Sequence, residues 1–424
     1  GDTSYEANET FFVNLTSPTE ATITNGQGVG TINNDDKPPV TLVVNTTDDL
    51  NSGFCLAAHC SLREAIVAAN SNPDTNTINF QIPADDPGHF YYADDSDAGQ
   101  LSRANVTQTS ASDDTTISGI DPDWPHSWWT ISPQSALPQI TSAVTINGYS
   151  QTGASVNTSA AGDNAVLRVE ISGAGVGVNG PTVGGGGSTL MGLIVNRFDG
   201  HGVNLASGNN TLAGNFIGTD ASGTLALANG GSGVFSSSEF SNLFGGATSD
   251  ARNLLSGNMG DGVSFAGGNS NTVQGNLIGT KADGVTALGN GANGVSFSAG
   301  SLFNTVGGTN AGEANTVAFN GGDGVQVGAT AGVGHTVRAN SIFSNGSTAA
   351  HLGIDLGADG VTPNDAQDAD TGANNLQNFP VINTALVTGS TRTITGTLNS
   401  KPNQTFTIDF YSNASCDTSG NGEG

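Results

Sequence analysis

From about residue 190 the chain is written in short apolar pieces set at regular intervals. Gly-Val pairs stand at 202–203, 233–234, 262–263, 294–295 and 324–325, steps of 31, 29, 32 and 30 residues. A longer period overlies this one. Gly214-Asn215-Phe216-Ile217-Gly218-Thr219 returns 61 residues later as Gly275-Asn276-Leu277-Ile278-Gly279-Thr280, and Asn210-Thr211-Leu212 returns as Asn271-Thr272-Val273. Between the apolar pieces lie Gly, Asn and Ser. Segments so short, with a corner after each, suit a chain that coils so that every turn stacks on the last, about 4.8 Å along an axis. A β-propeller is excluded, since its blades need about 40–45 residues and four longer strands. The pattern predicts an all-β parallel β-helix, a solenoid in which Val203, Val234, Val263, Val295 and Val325 form one inward ladder. Gly and Asn are expected at the corners because corners need positive φ.

The flanks follow other rhythms. Glu9 to Leu15 alternates like a strand with Phe11, Val13 and Leu15 on one face, and Gly28 to Ile32 supplies a second strand. Asn34-Asp35-Asp36 and the stiff Lys37-Pro38-Pro39 follow. Two strands cannot sustain a sandwich, so 1–36 reads as the end of a sandwich domain and 37–40 as a linker. The solenoid is expected over 41–380, opening with a strand at Thr41–Asn45. Ser61-Leu62-Arg63-Glu64 has the form of a capping box, and Leu62, Ala65, Ile66 and Ala69 mark one face of a short helix over 61–70. Asn70 is expected to end it in the left-handed conformation. Such a helix suits a lid on the first coil. Residues 83–128 form an acidic insertion, with Asp85-Asp86, Asp94-Asp95, Asp113-Asp114 and Asp121, leading into Trp124-Pro125-His126-Ser127-Trp128-Trp129. The tryptophans are expected to plug one side of the first coils rather than to offer a sugar-stacking platform. Over 381–424, Thr391–Leu398 and Thr405–Tyr411 alternate strictly and read as the opening strands of another β-sandwich.

Two stretches resemble known families. Asp2, Glu6, Glu9, Phe11, Val13, Leu15, Asp35 and Asp36 match the pattern of the C-terminal half of a Calx-beta domain. That resemblance implies calcium at Asp2, Glu6, Glu9, Asp35 and Asp36, a partial ligand set. Cys60-Ser61-Leu62-Arg63-Glu64-Ala65 resembles the signature that opens many bacterial right-handed parallel β-helix proteins, commonly secreted or on the cell surface. With less specific motifs the likeness extends to about residue 380.

Composition narrows the classes. Of 424 residues 62 are Gly, only 11% are charged, and 37 acidic side chains face 10 Lys and Arg for a formal charge of −27. No basic face for nucleic acid can be assembled from that. No apolar run approaches the roughly 18–20 residues of a membrane span, and the glycines keep no collagen period. Cys55, Cys60 and Cys416 are too few for a disulfide scaffold. Cys55 and Cys60 are close enough to bridge, and two free buried thiols are the alternative. Gly1 stands in mid-pattern and Gly424 in a turn, so both ends are expected to be cuts in a longer protein.

Candidate chemistry is thin. Gly200-His201-Gly202 resembles the Gly-His-Gly element of polygalacturonases, but the matching turns are Gly260-Asp261-Gly262 and Asp323-Gly324, so His201 reads as a variable corner. Arg197, Arg252, Lys281 and Arg338 are scattered, and the net charge repels a polyanion. No catalytic residue is assigned. A second calcium candidate is the acidic loop holding Asp355, Asp359, Asp365, Asp368 and Asp370, where Asp368-Ala369-Asp370-Thr371-Gly372 resembles a calcium loop without its distal Glu. A solvated loop closing the helix is the expectation there. The chain is therefore expected to be a non-catalytic surface or secreted module that binds a polysaccharide or another cell-surface ligand. The alternative is a polysaccharide-degrading enzyme, with acids, or a cation plus acids, converging on a groove beside Trp124–Trp129. If calcium rigidifies the N-terminal sandwich, chelation lowers the melting temperature of a longer chain containing all of it, by about 2.7 kcal/mol of stability at ~100-fold excess over Kd. Asp35→Ala with Asp36→Ala removes that response, and calorimetry of the pair checks it.

Overall fold

The computed structural model describes residues 8–33, 39–237, 240–346 and 351–412. Three sheets of seven, nine and ten strands run along one coil. In the seven-stranded sheet Val203 pairs with Val234, Val234 with Val263, Val263 with Val295 and Val295 with Val325, all parallel and in register. All five are at most 1% exposed, so the expected ladder is the spine of the core. Two residues on, Phe265 and Phe297 stack with centroids 5.1 Å apart. A strand of three or four residues turns alternate side chains inward, which puts Val and Phe in the core and Asn204 or Ser264 on the outer side.

The corners differ from expectation. Asparagine is there for hydrogen bonding, not for positive φ. Three buried stacks run up the coil: Asn210, Asn242, Asn271, Asn304; Asn215, Asn253, Asn276, Asn315, Asn340; and Asn229, Asn258, Asn290, Asn320, Asn345. None of these residues has positive φ. In the second stack the backbone N–H and the side-chain amide of Asn276 both donate to Oδ1 of Asn315, each at 3.0 Å. The amide's other hydrogen reaches the carbonyl of Phe244 at 2.8 Å. Oδ1 of Asn276 in turn accepts from the N–H and amide of Asn253 at 3.2 and 2.9 Å. Each asparagine thus satisfies the buried backbone where the chain bends and no sheet partner is available. The positive φ falls to glycines such as Gly218, Gly245 and Gly279, and before each asparagine of the first stack to Asn209, Ser241, Ser270 and Phe303.

The cap forms as the pattern predicts. A helix over Leu62–Asn70 carries a complete capping box, with Ser61 Oγ accepting from the Glu64 N–H and the Glu64 side chain accepting from the Ser61 N–H. Leu62, Ile66 and Ala69 are buried over the first coil. Asn70 does not end it in the left-handed region. The helix runs through Asn70 and is closed by Ser71 at φ −82, ψ −3. The side chain of Asn70 instead grips the next coil, donating to Gln139 O and accepting from Thr141 N at 2.7 Å each. Arg63 clamps Asp49 and donates to the carbonyls of Ser135 and Ala136. Cys55 and Cys60 are bridged.

The insertion adds His89–Tyr92 antiparallel to Ser127–Ile131, and Val106–Gln108 antiparallel to His89–Tyr92, at the edge of the ten-stranded sheet. Trp129 joins the inner core, while Trp128 joins a second apolar cluster on the sheet's outer face with Tyr92, Ile194, Phe216 and Leu254. The tryptophans are therefore a plug. At the two ends of the chain lie hairpins, Glu9–Asn14 with Gln27–Ile32 and Val381–Thr388 with Thr391–Thr397. Phe11, Val13 and Leu15 are exposed. Thr405–Tyr411 forms no strand, contrary to its alternation. Asp409 pairs there with Arg338 at 2.8 Å, and the Tyr411 hydroxyl accepts from Ala339 N, so the segment is held by side chains instead of a ladder. Among the described residues no helix is long and apolar enough to cross a membrane.

Asn276→Ala leaves the Asn253 N–H and the Phe244 carbonyl without these partners. At about 1–3 kcal/mol for each unsatisfied buried group, the expected loss is about 3 kcal/mol or more by urea unfolding. Asn310→Ala, on an exposed loop, is expected to change little by comparison.

Candidate functional site

The insertion, the cap loops and the turn at Gln151–Gly153 enclose an open groove of about 1280 Å³. Its wall is a charged network. Asp114 opens a one-turn helix whose N-cap is Asp113, and the preceding loop brings it against Arg168, next to the strand Val169–Ser172. Arg168 donates to both Asp114 oxygens at 3.1 and 2.5 Å, and also to the carbonyls of Ser127 and Gly153 at 2.7 and 3.2 Å. Ser127 Oγ donates to Asp114 Oδ1 at 2.6 Å, and His126 lies 3.6 Å from Oδ2. Burial by itself raises the Asp114 carboxyl, but the hydrogen bonds from His126, Arg168 and Ser127 outweigh it and hold the group well below the usual carboxylate range. It is a fixed anion, not a proton donor.

His89 lies behind this wall, fully buried, stacked on Trp129 with centroids 3.9 Å apart. Its Nδ1 faces the carbonyl of Ala84 and its Nε2 faces Ser127 Oγ, each at 2.8 Å. Burial pushes its pKa down against the Ala84 hydrogen bond. The Ser–His contact is not a hydrolytic dyad, because Ser127 is 1% exposed and therefore closed to a substrate.

Pleating places Arg168 and Glu170 together on the outer side of their strand, and Glu170 faces a smaller cleft of about 320 Å³ with Tyr92, Asp220, Arg103 and Arg197. Glu170 accepts from Arg197 at 2.8 Å, Asn196 at 2.7 Å, Trp128 Nε1 at 3.1 Å and Thr130 Oγ1 at 2.5 Å. Asp220 accepts from the Tyr92 hydroxyl at 2.9 Å, Ser222 Oγ at 2.5 Å and the backbone N–H groups of Ser222, Thr224 and Leu225. Burial, first of all, raises the Tyr92 hydroxyl far above its ordinary value. Acids and cations do converge beside the Trp124–Trp129 segment, which is the arrangement expected of an enzyme. Their bonding is that of anchors, for every carboxylate oxygen of Asp114, Glu170 and Asp220 already accepts a hydrogen bond.

None of Arg168, Glu170, Asp220 or His89 stood out in the sequence. Leu167-Arg168-Val169-Glu170-Ile171 does hold a signal, two charges alternating with apolar residues in a chain that is 11% charged. His201 is a corner residue, stacked on Phe235 at 4.4 Å with Nδ1 accepting from Ser232 N at 3.0 Å. Asp2, Glu6, Asp35 and Asp36 lie outside the described residues, and Glu9 is exposed at the start of its hairpin. One carboxylate oxygen each of Asp365, Asp368 and Asp370 lies within 4.8 Å of the others. Asp368 is not solvated as expected. It is 3% exposed and accepts from Asn378 N at 2.9 Å and Ser400 Oγ at 3.0 Å, which organises the turn. Asp355 faces Asp323 and Asp359 instead, and burial raises its carboxyl.

The groove wall should fail on acidification in two steps. His89 and Asp114 both have folded pKa values below their unfolded ones, about 6.5 and about 3.9, so each contributes stability present above that value and lost as pH falls toward the folded one. His89→Phe, which keeps the stack on Trp129, shrinks the upper step of a melting-temperature profile, the rest of it coming from His201 and His335, whose pKa values burial also lowers. Asp114→Asn shrinks the lower one. Arg168→Met leaves Asp114 buried without its cation and costs about 3–5 kcal/mol at neutral pH.

The groove has no counterpart to borrow a role from, since no family model, curated protein or solved structure matches the chain.

Proposed function

We propose that this is a non-catalytic β-helix module that binds a neutral polysaccharide in the groove beside Asp114 and Arg168, on a bacterial cell surface or in secreted form. The observation that carries the reading is the groove's chemistry. Arg168 and Asp114 neutralise each other and Asp113 leaves a single exposed negative charge, while exposed Gln81, Ser112, Thr115 and Thr152 and the exposed rings of Pro83 and Pro125 line the opening. Hydroxyls, an amide and apolar ring faces suit sugar hydroxyls and C–H faces, and the net charge of −27 disfavours a polyanion. The Cys55–Cys60 bridge supports an oxidising compartment. Calcium at Asp2, Glu6, Glu9, Asp35 and Asp36, and at Asp365, Asp368 and Asp370, belongs to the same reading as a stiffener of the flanks. The spacing of the last three carboxylates supports it.

A second reading, a polysaccharide hydrolase, is favoured by the meeting of Glu170, Asp220 and Arg197 in one cleft. One experiment separates the two. Titration calorimetry against neutral and uronic-acid oligosaccharides is expected to give heat with the neutral set alone, with no new reducing ends on incubation. Gln81→Ala with Thr152→Ala should weaken binding about thirtyfold, two hydrogen bonds being worth about 1 kcal/mol each. Binding unchanged by that pair would place the ligand elsewhere. Release of reducing ends that stops in Glu170→Gln would establish the hydrolase.

A further inference from the structure

We infer that the insertion holds a calcium ion between Asp94, Asp95 and Asp121, a site separate from the acidic positions considered above. A bridge between Ala93 and Ile120 sets the two segments side by side, with Asp94 N donating to Gly119 O at 2.9 Å and Asp121 N to Tyr92 O at 2.8 Å. One carboxylate oxygen of each aspartate then lies within 4.8 Å of one from each of the others. Calcium takes six to eight oxygens in a flexible geometry, whereas magnesium demands a near-ideal octahedron and gives up its water reluctantly, so a cluster of one buried and two more accessible carboxylates suits calcium better.

The observation that points to a ligand is Asp121. Its residue is 1% exposed, and Oδ2 is buried with no hydrogen-bond partner among the described residues. Oδ1 is used locally, accepting from Asp123 N at 2.9 Å. Asp94 and Asp95 likewise spend Oδ1 on Ser96 N and Asp97 N, at 2.8 and 2.9 Å. None of the three is in an ion pair with a described residue. An ionised oxygen out of water with neither donor nor cation is costly, and two further carboxylates beside it raise that cost. A divalent cation answers both, with water completing its shell on the exposed side of Asp94. The loop is already held in place for it, since Asp123 Oδ2 accepts from Gly99 N and Gln100 N at 2.6 and 3.0 Å. Because Asp121 hangs from the Tyr92 carbonyl and the Tyr92 hydroxyl holds Asp220, the ion would brace the wall of the smaller cleft.

The test uses the whole chain, stripped with chelator and titrated with calcium chloride alone, read by titration calorimetry and by melting temperature. Calcium is expected to raise the melting temperature of the unaltered chain, and magnesium at equal concentration to do so much less. Asp94→Asn, at an exposed position that cannot compromise folding, should weaken this binding about tenfold by removing one ligand charge. Asp121→Asn should abolish it, yet without calcium should melt no lower than the unaltered chain, because the amide relieves a buried unpaired charge. Asp368→Asn should leave this site intact. A calcium response absent from the unaltered chain, unchanged in Asp94→Asn and Asp121→Asn, lost in Asp368→Asn alone, or matched by magnesium would each overturn the assignment.

Discussion

The structure depends on supplying hydrogen-bond partners to backbone that bends inside a stacked coil. A coil must turn three times per rung, and at each turn the peptide groups leave the sheet ladder while remaining out of water. The asparagine stacks answer this with one side chain per corner, which accepts from the rung before it and donates to the rung after it. No other short side chain carries both a carbonyl and a two-hydrogen amide at that reach. The repeat length drifts between 29 and 32 residues because the stacks fix the corners while the loops between them absorb the difference.

Glycine answers the other demand of the corner, close approach. At Gly218, with φ +95, a Cβ would stand 2.3 Å from the Ser256 carbonyl and 2.4 Å from Asn258 Oδ1 on the next rung. At Gly279 it would stand 2.0 Å from the Ala318 carbonyl. These positions need glycine twice over, for the left-handed backbone and for the space the asparagine stack occupies. The high glycine content is therefore a packing requirement of the solenoid, coupled rung by rung to its asparagines.

A thin core also shapes where function can sit. The inner core takes one or two apolar side chains from each short strand, and a second apolar cluster with Tyr92, Trp128 and Phe216 forms where the insertion covers the outer face of the ten-stranded sheet. That covering carries charge into partly buried surroundings, and the arginines at 168 and 197 neutralise it pairwise. The two clefts lie along this seam between solenoid and insertion. Ion pairs saturated by neighbours suit a rigid recognition surface better than proton transfer, which needs a group free to change its charge.

Periodicity in the sequence was enough to determine the solenoid, the register of the valine ladder and the capping helix, because each follows from spacing along the chain. The capping box at Ser61–Glu64 and the buried face of Leu62, Ile66 and Ala69 are local, and local rules found them. Spacing also flagged the asparagines, yet their task was misread, since hydrogen bonds to residues some 25 to 40 positions away leave no trace in a local window. The site was less legible still. Asp114 meets Arg168 across 54 residues and Tyr92 meets Asp220 across 128, contacts that exist only once the insertion has folded onto the coil. The alternation at Thr405–Tyr411 shows the converse, for a strand pattern stays unpaired unless tertiary structure offers it an edge. What the sequence by itself determined was the repeat and its spine. Only the tertiary structure decided which charges meet, because that depends on where a non-repeating segment lands on a repeating one.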